Sequence, residues 1–163
     1  MTTLQSNHLD YSEFTIAEAS PKDYQAFAVF HLMIFGKNYY VPAHRVENWL
    51  KSRNEHLYLM WRGTQLIGSV IVRPDYDDDL NPITSLWSVG INPLYQGKGL
   101  GEYLLQNVMR EREAIWELQV LEENIRARRL YEKIGFVSYE TLGLESRTRP
   151  GVMQYRLQPY TLL

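Results

Sequence analysis

The sequence predicts an α/β fold, a mixed sheet with helices on its faces. Two early helices are followed by a hairpin pattern, and then by strand, helix, strand, helix in turn. A glycine-rich turn stands where one strand passes into a helix. Helices and strands interleaved in this way bury their apolar faces best as layers about one sheet.

Each element has a local cause. Residues 1–12 are polar and read as a flexible tail ahead of one domain, 13–163. Phe14–Glu18 alternates as a short strand. Ser20, Pro21 and Asp23 form a helix start, with a capping serine, a first-turn proline and a carboxylate that can answer the cap. The apolar run Tyr24–Phe35 follows, and Gly36 can stop it. A loop over 36–42 leads to a second helix, Ala43–Ser52. Residues 56–61 and 65–72 read as a hairpin turning at Gly63, and 73–82 as an acidic loop. A strand is expected at 83–91 and a helix at 99–113, with Leu100, Leu104, Leu105 and Val108 on one face. Strand 115–121, helix Ile125–Ile134, and final strands at 136–142 and Val152–Leu157 complete the chain.

Composition excludes several classes. The chain has 163 residues and no cysteine, so it has no disulfide, thiolate metal site or cysteine nucleophile. A net charge of −2 lacks the basic footprint of a nucleic-acid binder. No stretch is apolar enough to span a membrane, and no secretory leader pattern opens the chain. A cytoplasmic protein is expected, monomeric or homodimeric, with neither nucleic acid nor membrane as partner. His31, His44 and His56 have no metal-ligand spacing, and no metal is expected.

The most informative segment runs Ile91-Asn92-Pro93-Leu94-Tyr95-Gln96-Gly97-Lys98-Gly99-Leu100-Gly101. Glycines permit left-handed backbone and leave no Cβ between backbone and ligand. The N–H groups of a helix's first turn lack internal partners and carry the positive end of the dipole. Such a turn suits a diphosphate, with Lys98 a further cation at its rim. A P-loop would need Ser or Thr after the lysine, where Gly99 stands. A dinucleotide turn would need a third glycine where Glu102 stands.

Gln96-Gly97-Lys98-Gly99-Leu100-Gly101 instead resembles the Q/R-x-x-G-x-G/A coenzyme A motif of the GNAT superfamily of N-acetyltransferases. Asn124-Ile125-Arg126-Ala127-Arg128-Arg129-Leu130-Tyr131-Glu132-Lys133-Ile134-Gly135-Phe136 resembles that family's N-x-x-A-x-x-L-Y-x-x-x-G-F helix. The spacing leaves room for one helix and one strand between the motifs. The resemblance implies a mostly antiparallel sheet of six to seven strands flanked by about four helices. It implies acetyl-CoA as co-substrate and an amine, small-molecule or peptide, as acceptor, with direct attack in a ternary complex. An acyl-CoA sensor of the same fold and a longer acyl donor are the alternatives.

The resemblance also distributes roles. Gln96, Gly97, Lys98, Gly99, Leu100 and Gly101 would hold the diphosphate. Main-chain groups at Val89 and Ile91 would pair with pantetheine and the thioester carbonyl, and Asn124 would contact the pantetheine arm. Tyr131 would be the general acid. Asn124 also suits a helix N-cap, and Tyr131 a packed core tyrosine. Many family members carry a glutamate on the strand before the glycine turn, and residues 83–89 here hold no carboxylate. A water relay steadied by Ser85 or Ser88 is expected in its place, with Glu122 a lesser candidate base. Asp75, Asp77, Asp78 and Asp79 are read as a solvated loop or a lure for a cationic amine. Tyr39, Tyr40, Trp49 and Trp61 are read as core or as the wall of an acceptor slot.

Overall fold

The computed structural model describes residues 9–158. Seven strands form one open sheet: β1 (Phe14–Glu18), β2 (His56–Arg62), β3 (Gln65–Tyr76), β4 (Pro82–Ile91), β5 (Trp116–Leu121), β6 (Val137–Ser138) and β7 (Val152–Leu157). Their spatial order is β1-β2-β3-β4-β5-β7-β6. Every adjacent pair is antiparallel except β4 and β5. The helices are α1 (Tyr24–Phe35), α2 (Ala43–Ser52), α3 (Leu100–Met109), α4 (Ile125–Ile134) and the short α5 (Tyr139–Leu142).

The helices cover opposite faces of the sheet. On one, α3 and α4 bring Leu104, Val108 and Ile134 against Val70, Val72, Leu86 and Leu118. On the other, α1 and α2 bring Phe27, Phe30, Val46 and Leu50 against Leu57, Leu59 and Ile71. Caps fix the helix ends as the sequence predicts. Ser20 N–H donates to the Asp23 carboxylate at 2.9 Å ahead of α1, and Gly36 ends that helix at φ 83°. Asn124 Oδ1 accepts the Ala127 N–H at 3.2 Å to start α4, and Gly135 ends it at φ 119°.

Three expectations are corrected. The loop expected at 73–82 is mostly hairpin. Arg73 to Tyr76 pair with Ser85 to Pro82, and the turn is only 77–81, where the Asp77 carboxylate accepts the N–H groups of Asp79 (3.0 Å) and Asn81 (2.8 Å). The helix expected to reach 113 stops at Met109, because its apolar stripe ends there and Arg110 to Glu113 have no core to cover. The strand expected at 136–142 pairs only at Val137 and Ser138. Ser138 Oγ then accepts the Thr141 N–H at 3.2 Å and starts α5 instead. The expected tail, 1–12, lies outside the described residues as far as 8. Of the remainder, Tyr11 and Ser12 belong to a 3-10 turn, Tyr11–Glu13, leading into β1.

Two features of β4 position the site. Its parallel pairing with β5 ends after Leu86↔Leu118, although the strands continue to Ile91 and Leu121, so they part as a fork. Beyond Leu86, β4 main-chain groups directed toward β5 have no ladder partner. Ser88 sits at φ 50°, where the pairing with β3 slips by one residue. This bulge resets the strand's alternation, since Leu86, Val89 and Ile91 all pack with the α3/α4 core while Trp87 packs with α1 and α2.

Candidate active site at the glycine turn

The glycine turn follows directly from the fork. Asn92 Oδ1 accepts the Leu94 N–H at 3.0 Å and opens a 3-10 turn, Pro93–Tyr95. Gly97 (φ 77°) and Gly99 (φ 78°) then take left-handed backbone, and Gly99 is the N-cap of α3. Its N-cap offers no side-chain acceptor, so first-turn N–H groups are open to a ligand. Gly101 is small for a different reason. A Cβ there would stand 3.0 Å from Leu130 Cδ2, where α3 and α4 approach.

A cleft of about 310 Å³ runs from this turn to the fork between α3 and α4. The structure brings together there Val89, Ile91, Gln96, Gly97, Gly99, Leu100, Gly101, Asn124 and Tyr131, all named from the sequence. Tyr131 is 7% exposed, and burial pushes its hydroxyl up to about 12, so it remains a donor across the neutral range. The cleft lining therefore combines a glycine turn with open main-chain N–H groups, a phenol and aliphatic side chains.

Lys98 is not in the lining; its ammonium lies over the Tyr95 ring at 5.5 Å. The cation at the mouth is Arg126, whose Nη1 donates to Gln96 Oε1 at 2.7 Å, while Gln96 Nε2 donates to the Ile91 carbonyl at 3.1 Å. Lys133 pairs with Glu102 at 2.9 Å on the same rim. Arg126 was given no site role from the sequence, yet a signal for one exists. A cation in the first turn of a helix opposes the dipole, so an arginine at that position needs an outside partner.

Ser85, Ser88 and Glu122 do not line the cleft. Ser85 is buried on the opposite sheet face, in register with Glu117. Glu122 is exposed, and its carbonyl accepts from Arg128 at 2.9 Å. Glu117, a buried carboxylate next to the fork, was not identified from the sequence. The Tyr139 hydroxyl and Arg156 Nε (2.8 Å) donate to its Oε1, and Gln154 Nε2 donates to Oε2 at 3.1 Å.

The aspartate loop is engaged by arginines. Asp75 pairs with Arg73 (3.3 Å), Asp77 with Arg156 (3.7 Å) and Asp78 with Arg147 (3.2 Å), and the Asp79 N–H donates to Asp77. Tyr39 and Tyr40 are exposed, whereas Trp49 and Trp61 pack against the α1/α2 core. His31 is buried against Phe27, Phe35 and Trp49. His56 pairs with Glu18 at 2.9 Å, and His44 is exposed. No helix among the described residues is long and apolar enough to cross a membrane.

Known proteins share this fold. The profile of the acetyltransferase (GNAT) family matches residues 24–136. A spermine/spermidine N(1)-acetyltransferase of Bacillus subtilis (strain 168) is 36% identical over 70 residues, 39% of this chain and 45% of that protein, so the match spans less than half of the relative. The spermidine N-acetyltransferase of Vibrio cholerae, solved with CoA and spermine, superposes with TM-score 0.67 at 18% identity over 93% of this chain and 98% of that one. The ribosomal-protein-S18-alanine N-acetyltransferase of Escherichia coli superposes with TM-score 0.68 at 19% identity, over 90% of this chain and 94% of that one. With the profile covering well over half of its length, from α1 through the glycine turn to the end of α4, the chain belongs to the acetyltransferase (GNAT) family.

Proposed function

We propose that the chain moves the acetyl group of acetyl-CoA onto a primary amine, by direct attack within a ternary complex. One observation carries this reading: a single cleft joins the open first turn of α3 to the fork of β4 and β5, with the Tyr131 phenol in its wall. The residues present fit coenzyme A. Cβ atoms are absent where a diphosphate would approach Gly97 and Gly99, and Arg126 supplies positive charge at the mouth. The unpaired β4 edge suits the amides of the pantetheine arm, and a strand N–H there would face the thioester oxygen as charge develops on it. Acetyl-CoA supplies an acyl group already activated as a thioester.

Tyr131 acts on the leaving sulfur. A phenol near 12 facing a thiol near 8.5 is unfavourable for full proton transfer by about 5 kcal/mol. The same desolvation raises the thiol's own pKa and narrows this gap, and Tyr131 can stabilise the thiolate by donating a hydrogen bond without giving up its proton. The acceptor amine must lose its proton, and an alkyl ammonium near 10.4 leaves on the order of one molecule in 10³ free at pH 7. No carboxylate stands on β4, and neither Ser85 nor Ser88 lines the cleft, so the proton leaves through water without either serine in contact with the reacting atoms.

Glu117 favours a second reading, an acyl-CoA sensor. This buried carboxylate beside the fork already accepts from Tyr139, Arg156 and Gln154. A thiol-release assay decides, run with acetyl-CoA, longer acyl-CoAs and a panel of polyamines, peptides and aminoglycosides. Amine-dependent thiol release is the expected result. Tight coenzyme A binding by calorimetry with no release on any amine selects the sensor. No coenzyme A binding at all removes both. Spermine and spermidine enter the panel because of the Bacillus subtilis relative's name; the aspartate loop, paired with arginines, adds no argument for them.

A further inference from the structure

The glycine turn is held from outside by the start of the chain. The Asp10 carboxylate accepts the Ser12 N–H (3.0 Å) and hydroxyl (2.7 Å), fixing the 3-10 turn that carries Tyr11. The Tyr11 ring stacks on Tyr103 of α3, with centroids 4.6 Å apart and planes 19° apart. Its hydroxyl donates to the Lys98 carbonyl at 3.4 Å and stands 2.9 Å from where a Gly99 Cβ would be. The other end of the turn is held too. Glu13 pairs with Arg62 at 2.7 Å, and Arg62 donates to the Tyr95 hydroxyl at 3.3 Å.

We propose that Tyr11 is a positioning residue for the diphosphate of the acyl-CoA, an inference that rests on the coenzyme A reading above. The Lys98–Gly99 peptide lies between two left-handed glycines, the most rotatable stretch of the turn. In a trans peptide the C=O and N–H point in opposite directions. Anchoring the Lys98 oxygen on Tyr11 therefore turns the Gly99 N–H away from Tyr11. Tyr11 stands outside the cleft and Gly99 lines it. The donor is oriented before the anion arrives, so binding does not have to supply that ordering.

The test compares wild type with Tyr11→Phe, which keeps the ring and loses the hydroxyl, and Tyr11→Ala, which loses both. Coenzyme A is titrated by calorimetry, acetyl-CoA kinetics are measured, and amide exchange is followed over 97–101. One lost hydrogen bond predicts a rise of about threefold in Kd and KM for Tyr11→Phe, and loss of the stack as well about tenfold for Tyr11→Ala. The change resides in KM rather than kcat, and exchange over 97–101 accelerates in both variants without ligand. A wild-type Kd in Tyr11→Ala overturns the brace and leaves the coenzyme A reading standing. A wild type that binds no coenzyme A overturns that reading, and the brace's purpose with it.

Discussion

Arg126 and Gln96 meet across the mouth of the cleft, with 2.7 Å between guanidinium nitrogen and amide oxygen. The contact joins the first turn of α4 to the glycine turn, and it places the cation where Lys98 does not reach. Arg126→Ala is expected to weaken coenzyme A binding about tenfold, with the loss shrinking at high salt. Lys98→Ala is expected to change it by less than about threefold. Calorimetry at two salt concentrations checks both; equal losses would mean that Arg126 has no special place.

Gly99 holds φ 78°, and a Cβ there would meet the Tyr11 hydroxyl at 2.9 Å. Gly99→Glu adds strain, bulk and a negative charge at the anion end. Coenzyme A binding should become undetectable, with about 1–2 kcal/mol lost from stability. Retained binding would remove the diphosphate cradle.

Tyr131→Phe deletes the phenol and leaves the walls unchanged. Turnover should fall about tenfold or more while the KM for acetyl-CoA stays near that of wild type, since the hydrogen bond matters most as thiolate forms. Wild-type turnover in this variant would remove Tyr131 from the chemistry.

The same burial predicts alkaline weakness. Tyr131 keeps its proton to about 12 when folded, whereas an unfolded tyrosine loses its proton near 10. Between those values the unfolded chain binds fewer protons, so stability falls as pH rises through the window and is fully present below it. The contribution at stake is about 2–3 kcal/mol. Tyr139, also pushed up to about 12, acts with the same sign. Denaturant titrations from pH 9 to 11.5 should show a shallower decline in Tyr131→Phe than in wild type, and parallel curves would contradict this.

Arg156 and Glu117 form the most enclosed ion pair among the described residues, with side chains 15% and 6% exposed. Arg156→Ala leaves a carboxylate buried against Tyr139 and should cost about 3 kcal/mol. Lys51→Ala, which removes an exposed pair with Glu47, should leave stability close to that of wild type. Urea unfolding of the two variants gives the comparison.

Local cues in the chain determined most of the elements and most residues of the cleft proposed for coenzyme A. Ser20 to Asp23, Asn124 and Gly135 mark helix ends, and three glycines within five residues mark the left-handed turn ahead of α3, because capping and left-handed backbone are properties of short segments. Cues of this kind failed where a long-range partner sets the outcome. β3 extends to Tyr76 because β4 is there to pair with it, and the strand expected at 136–142 yields to α5 once pairing with β7 ends. Only the tertiary structure put Arg126 against Gln96, engaged the aspartate loop with Arg73, Arg156 and Arg147, and laid Tyr11 over Lys98. These contacts join residues far apart in the chain, and a side chain's charge or size does not by itself specify which distant partner the fold will bring to it.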